Sequence, residues 1–195
     1  MSFLATNSLP LPASPGAVVW LTGLSGAGKS TLSRHLQRQL QAAGQSSFLL
    51  DGDQLRQGLC CDLDYSIPGR RENLRRAAAL CQLLADAGLI VLAAFVSPAR
   101  ADRAMVRAMI QGADFVEVYC SASLAACEQR DVKGLYARAR RGDIRDFTGI
   151  SAPYEPPLAA DLVIQSDSCS VDEGVQQLMA LLVRRGLIDT ERNSA

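Results

Sequence analysis

The chain has 195 residues, 48% of them apolar, with twenty basic and twenty acidic side chains, so one ordinary domain with its own core is expected. Zero net charge argues against a nucleic-acid binder, and the absence of an 18-residue apolar run or a cationic signal segment argues against a membrane protein or a secreted one. Six cysteines without a C-x-x-C pair, and His35 as the only histidine, point to reduced structural thiols in a cytoplasmic protein.

Residues 1–16 carry three prolines and no periodicity and read as a flexible arm; a domain over 17–188 and a short tail, 189–195, follow. Val18-Val19-Trp20-Leu21 is a continuous apolar run suited to a strand buried on both faces. Leu32, Leu36 and Leu40 then recur at helical spacing up to Gly44. Phe48 to Leu50 predicts a second strand, and Leu74, Ala77, Ala78, Cys81, Leu84 and Ala85 the inner face of a helix stopped near Gly88. The alternation continues with strands over 89–96, 115–120 and 162–164 and helices over 101–110 and 123–130. A last helix carries the stripe Val171, Val175, Leu178, Met179 and Leu182 and ends near Gly186. Such alternation requires an α/β fold, a five-stranded parallel sheet flanked by helices. Between 131 and 157 the pattern fails apart from one or two helical turns over 135–141, and a segment of that kind in a compact domain reads as a lid.

Gly23-Leu24-Ser25-Gly26-Ala27-Gly28-Lys29-Ser30 satisfies G-x-x-x-x-G-K-[ST] between the first strand and the first helix, the context that makes this motif a phosphate-binding P-loop. Glycines let main-chain amides curl around an anion, the helix N-terminus adds its dipole, and Lys29 is placed for the β and γ phosphates. Ser30 is the expected Mg²⁺ ligand and Thr31 the expected α-phosphate contact. Lysine occurs only at 29 and 133, so no N-K-x-D guanine-reading segment exists, which favours ATP over GTP and a kinase over a switch. The second strand ends in Asp51-Gly52-Asp53 at the carboxyl edge of the sheet, where open α/β folds bind ligands. Asp53 is expected to take a proton from an attacking hydroxyl or to orient the metal's water, and a role as cap of a helix starting at Gln54 can coexist with either. The third strand ends in Val96-Ser97 without an acid, so Asp53 is the metal carboxylate expected from sequence. Arg56 and Arg70 flank a non-helical turn over 60–69 and suit an anionic acceptor.

These residues resemble the adenylyl-sulfate kinases, P-loop kinases that phosphorylate the ribose 3′-hydroxyl of adenosine 5′-phosphosulfate. The resemblance runs from Trp20 to the last helix. It rests on W-L-T-G-L-S-G-A-G-K-S-T at 20–31, L-D-G-D at 50–53, R-x-G-L at 56–59, R-E-N-L-R-R at 71–76 and L-A-D-A-G-L-I-V at 84–91. F-V-S-P at 95–98, A-D-R at 101–103, R-D-V-K-G-L-Y at 130–136 and F-T-G-I-S-A-P-Y-E at 147–155 extend it. It implies that Asp53 sits beside the ribose hydroxyl, that Arg56, Arg70 and Asn73 hold the phosphosulfate and its nucleotide, and that Tyr65 and Phe147 sandwich the acceptor adenine. Lys133 would reach the bound nucleotides from the lid, Val96 would offer backbone contact beside Ser97, and Arg130 would border the adenine of ATP. A homodimer is implied as well. Ser97 corresponds to a position described in the family as a phosphoserine intermediate; in-line transfer needs no covalent step, and a positioning role is expected. The chain departs from the family at Gln54, Cys60-Cys61, Asp64-Tyr65 and Ala99, losing a base and gaining an acid near the acceptor turn. Those departures leave open a kinase of another small hydroxyl compound, or a silent nucleotide sensor.

Overall fold

The computed structural model describes residues 16–189, so nearly all of the expected arm and tail lies outside the described residues. Its elements in order are β1 (Ala17–Thr22), α1 (Lys29–Ala42), β2 (Ser47–Asp51), α2 (Gly52–Gln57), α3 (Ile67–Asp86), β3 (Ile90–Ala94), α4 (Arg100–Met109), β4 (Asp114–Ser121), α5 (Leu124–Arg130), α6 (Leu135–Arg140), β5 (Leu162–Gln165) and α7 (Val171–Arg184). Five strands form one sheet in the order β2-β3-β1-β4-β5, every pair parallel. The chain leaves β1 toward one edge, returns through β3, and then crosses to β4. This reversal opens a crevice at the carboxyl end of β1, between the loops that leave neighbouring strands on opposite faces.

Alternation along β1 builds both halves of the core. Val19 and Leu21 face a layer that includes Leu36 and Leu40 of α1 and Leu178 and Leu182 of α7. Val18 and Trp20 face Ala77, Ala78 and Cys81 of α3 and Val106 of α4. With both faces covered, β1 is buried along its whole length, which is why it reads as an unbroken apolar run. Trp20 pairs across the sheet with Ala93 and Glu117, and its ring stacks on Phe95 at 4.8 Å. All six cysteines are free; Cys60, Cys81, Cys120 and Cys127 are buried, whereas Cys169 is half-buried and Cys61 exposed.

Two boundaries differ from the sequence expectation. α3 starts seven residues before Leu74, the first residue of its predicted stripe, because Ser66 accepts from the Gly69 amide as N-cap and Pro68 suits the first turn. Residues 67–69 of the expected turn are therefore helical, and Arg70, expected to flank that turn, lies in the first turn of α3. The short α2 also has no stripe to announce it, being capped by Asp51, whose carboxylate accepts from the Asp53 amide at 2.9 Å. Asp51 takes the capping place considered for Asp53, since the helix begins two residues earlier than Gln54, at Gly52. Within 131–157, α6 supplies the expected helical turns. No helix among the described residues is long and apolar enough to cross a membrane.

Candidate active site

The P-loop joins β1 to α1 at the crevice. Gly23, Gly26 and Gly28 have φ of 148°, 77° and 87°, values that L side chains avoid. A Cβ at Gly23 would approach the Cys120 carbonyl oxygen to 2.5 Å, so position 23 tolerates no side chain. Gly28 is the N-cap of α1 and has no side chain to cap it, which leaves the first-turn amides for an anion. The Lys29 ammonium donates to the carbonyls of Gly23 at 2.9 Å and Leu24 at 2.7 Å. Burial pulls its pKa down from 10.5 to about 8, the loss of water outweighing the stabilising charge of Asp51.

Three elements brace this loop from outside. Arg130, at the end of α5, donates to the carbonyls of Gly26 at 3.1 Å and Ser166 at 2.7 Å. The Ser166 hydroxyl donates to the Ala27 carbonyl at 2.8 Å, and the Tyr136 hydroxyl of α6 donates to the Ser25 carbonyl at 2.9 Å. The expected role of Arg130 at the ATP adenine thus has a structural companion, since its guanidinium fastens the loop. Tyr136 was not singled out from sequence, and its only signal was its place in R-D-V-K-G-L-Y. Thr31 is exposed on the first turn of α1.

Beside the loop, the Ser30 hydroxyl donates to Asp51 Oδ2 at 2.6 Å, while Asp51 Oδ1 accepts from the Asp53 amide at 2.9 Å. Asp51 is only 8% exposed. Asp53 is the metal carboxylate expected from sequence; the structure sets a second carboxylate, Asp51, directly against Ser30. Residues 51 and 53 fall on opposite sides of the strand-to-helix corner, and spacing alone does not say which one faces the P-loop. Asp53, its side chain 60% exposed, is ion-paired with Lys133 from the 131–157 segment. Two expected site residues from distant parts of the chain therefore meet at the crevice.

Ser30 and Asp51 offer a hydroxyl and a carboxylate oxygen, the hard donors that Mg²⁺ takes. Among the described residues no group of three or more His, Cys, Asp or Glu side chains gathers into a protein-only cage. A cation here would complete its shell with phosphate oxygens and water, as Mg²⁺ does beside nucleotides, so the residues fit the ion.

On the acceptor side, Arg56 donates from Nη1 to the carbonyls of Leu63 at 3.1 Å and Asp64 at 3.0 Å, and its guanidinium lies 4.1 Å from the centre of the Tyr65 ring. Arg70 Nη1 reaches the Thr148 hydroxyl at 3.4 Å, next to Phe147, so α3 and the 131–157 segment share this wall. Partial burial pulls the Arg70 pKa down, partly offset by the charge of Asp146. Asn73, one turn further along α3, is buried with its Oδ1 lacking a partner. A buried amide oxygen without a donor is costly. Phe147 packs edge-on against Tyr136 at 5.0 Å, whereas Tyr65 stands 63% exposed on Arg56. The two aromatics line the same region without touching each other.

The departures in this turn have local explanations. Cys60 is fully buried in the core layer under α3, and Asp64 Oδ1 accepts from the Ser66 amide at 3.1 Å and the Ser66 hydroxyl at 2.6 Å. Those bonds hold the Asp64 carboxyl below the usual carboxylate range. Its charge is satisfied at the start of α3.

Ser97 is 2% exposed and has φ 39°, left-handed backbone that a residue with a Cβ resists. Its hydroxyl accepts from the Trp20 indole at 3.1 Å and pairs with the Thr22 hydroxyl at 2.9 Å. Thr22 also donates to the Val96 carbonyl at 2.8 Å, which occupies the main-chain acceptor at that position. The hydroxyl expected to position is held in a buried network.

A family model described as adenylylsulphate kinase matches residues 15–165. The chain is 52% identical over 173 residues to an adenylyl-sulfate kinase of Shewanella amazonensis, covering 89% of this chain and 87% of that one. It is 53% identical over 178 residues to that of Paraburkholderia xenovorans, covering 91% and 99% respectively. Among solved structures, an adenosine phosphosulfate (APS) kinase of Mycobacterium tuberculosis in complex with AMPPNP and APS superposes with a TM-score of 0.85. That protein is 46% identical, with 87% of this chain and 99% of that one covered. A shikimate kinase of Acinetobacter baumannii, 18% identical at a TM-score of 0.51, shares the fold alone. On its matched length, its identity to these relatives and the placement of the motif residues, this chain belongs to the adenylylsulphate kinase family.

Proposed function

We propose that the protein is an adenylyl-sulfate kinase, moving the γ-phosphoryl group of ATP to the 3′-hydroxyl of adenosine 5′-phosphosulfate to give 3′-phosphoadenosine 5′-phosphosulfate. The observation that carries the reading is the run of contacts from Ser30 to Asp51, from Asp51 to the Asp53 amide, and from Asp53 to Lys133. It joins the phosphate cradle to an exposed carboxylate at the acceptor edge.

In this reading the amides of Gly23 to Thr31 and the Lys29 ammonium hold the triphosphate, with Arg130 keeping the loop in shape. Ser30 and Asp51 hold Mg²⁺, which when bound screens phosphate charge. Asp53 aligns the ribose hydroxyl and accepts its proton as the oxygen attacks in line. Arg56 and Arg70 face the phosphosulfate, Asn73 donates to or accepts from the acceptor nucleotide, and the rings of Tyr65 and Phe147 take the adenine. Val96 and Ser97 form the floor of that wall. The 131–157 segment acts as the lid, Lys133 exchanging its Asp53 partner for nucleotide charge while the segment keeps water from the γ-phosphorus. The protein works in the cytoplasm as a homodimer.

The test is a coupled assay with ATP, Mg²⁺ and adenosine 5′-phosphosulfate, with the phosphorylated position identified by NMR. Acceptor-dependent ADP release and a 3′-phosphate support the assignment, and ADP release indifferent to the acceptor refutes it. Asp53→Ala should bind ATP normally and form no product; retained turnover would remove Asp53 from the mechanism. Sedimentation at micromolar concentration checks the dimer.

A further inference from the structure

Arg103 of α4 carries no part in the reaction just described, yet it is among the most heavily engaged side chains in the molecule. It is 4% exposed, and its Nε donates to Glu117 Oε1 of β4 at 2.9 Å. Nη1 donates to the carbonyls of Ser97 at 2.6 Å and Pro98 at 3.1 Å, and Nη2 donates to the Glu155 carbonyl at 2.6 Å. One planar fork thus serves four acceptors on three separate segments.

Two of these segments, 97–98 and the stretch ending at Glu155, border the acceptor wall, and Glu117 anchors the fork to β4. Ser97 holds left-handed backbone, and a carbonyl fixed by a guanidinium is a direct restraint on that conformation. Glu155 ends the segment that carries Phe147. Within 147–152 the chain is bonded to itself: the Phe147 carbonyl accepts from the amides of Ile150, Ser151 and Ala152, and the Gly149 amide donates to the Ala152 carbonyl at 2.8 Å. This self-bonded turn leads through 153 and 154 to Glu155, so 147–155 forms a short strap between Phe147 and the Arg103 fork. The root is tied again where the Glu155 amide donates to the Pro98 carbonyl at 2.9 Å and the Glu155 carboxylate accepts from the Arg100 amide at 2.7 Å. Tyr154, whose ring centre lies 5.7 Å from the Arg103 guanidinium, pairs its hydroxyl at 2.9 Å with Thr22, the residue preceding the P-loop.

We infer that Arg103, held by Glu117, is a positioning residue for the acceptor: it fixes the Ser97 turn and the root of the 147–155 strap in one frame, so that the adenine-facing ring and the floor beneath the acceptor keep their spacing. Lysine cannot replace it, since a single ammonium cannot span acceptors set around a fork. The inference rests on the kinase reading above.

The experiment measures kcat and both KM values for the parent, Arg103→Lys and Glu117→Gln, with thermal melts of each. Arg103→Lys should raise KM for adenosine 5′-phosphosulfate at least tenfold while KM for ATP stays within twofold. Glu117→Gln, which keeps an acceptor for Nε and loses only the charge, should raise the acceptor KM about threefold. A merely structural role would scale kcat with the folded fraction and leave both KM values alone, and that result overturns the inference. If Arg103→Lys does not fold, Glu117→Gln decides by the same criterion. A parent that ignores adenosine 5′-phosphosulfate refutes the functional reading and the inference with it, whereas an active parent with indifferent variants refutes the inference alone.

Discussion

Replacing Asp51 by asparagine separates the two things its carboxylate does. It caps α2 through the Asp53 amide at 2.9 Å and accepts from the Ser30 hydroxyl at 2.6 Å, both at a site 8% exposed. The amide keeps the shape but offers one oxygen, so one of the two charge-assisted bonds becomes neutral and the other is lost or reversed. Charge-assisted bonds contribute about 1.5–3 kcal/mol and neutral ones about 0.5–1.5 kcal/mol, so a loss of about 1–3 kcal/mol in stability is expected. For a domain of this size that lowers Tm by roughly 2–12 °C. If Asp51 also holds the metal, catalysis falls further than stability does: kcat should drop about a hundredfold, equivalent to about 2.7 kcal/mol. The Mg²⁺ concentration for half-maximal rate should rise as well. The assay titrates Mg²⁺ against initial rate at saturating ATP and acceptor, below the melting range of the variant. A lowered Tm with unchanged kcat and Mg²⁺ dependence would mean that Asp51 is only a helix cap, and the metal site would have to be sought elsewhere.

Lys29→Met should abolish turnover and yet stabilise the free protein at pH 7. Because burial lowers the Lys29 pKa from 10.5 to about 8, folding below pH 8 carries the whole cost of an interior ammonium, ~3 kcal/mol, which fades as pH rises from 8 toward 10.5. Urea unfolding at pH 7 and pH 10 tests this, an advantage for the variant that grows with pH being the contrary result. Ser97→Ala removes the acceptor of the Trp20 indole and should cost about 1–3 kcal/mol in a urea melt. It should still form product; a dead variant together with trapped phosphoserine in the parent would reverse the positioning assignment. Tyr65→Ala should raise KM for adenosine 5′-phosphosulfate about 5- to 100-fold, from the ~1–3 kcal/mol typical of base stacking on an aromatic ring, with KM for ATP unchanged. An unchanged acceptor KM would take Tyr65 out of the site.

What the chain states locally could be read without coordinates. The unbroken apolar run of β1, the leucines of α1, the stripes of α3 and α7 and the glycine-lysine spacing of the P-loop each depend on periodicity or on a backbone conformation that only certain residues adopt. The five strands, the longer helices, the parallel sheet and the phosphate cradle therefore follow from sequence. Tertiary structure decided what depends on direction across a corner or on residues far apart. Asp51 and Asp53 are two residues apart, and only the turn into α2 shows that Asp51 faces Ser30 while Asp53 faces Lys133. Tyr136 carries no stripe that would point it at Ser25, and Arg103 looks like any helical arginine until α4 sets it against Ser97, Glu117 and Glu155. Sequence fixes side-chain chemistry and local period; which acceptors a long guanidinium or a short carboxylate meets is settled only when separate segments pack together.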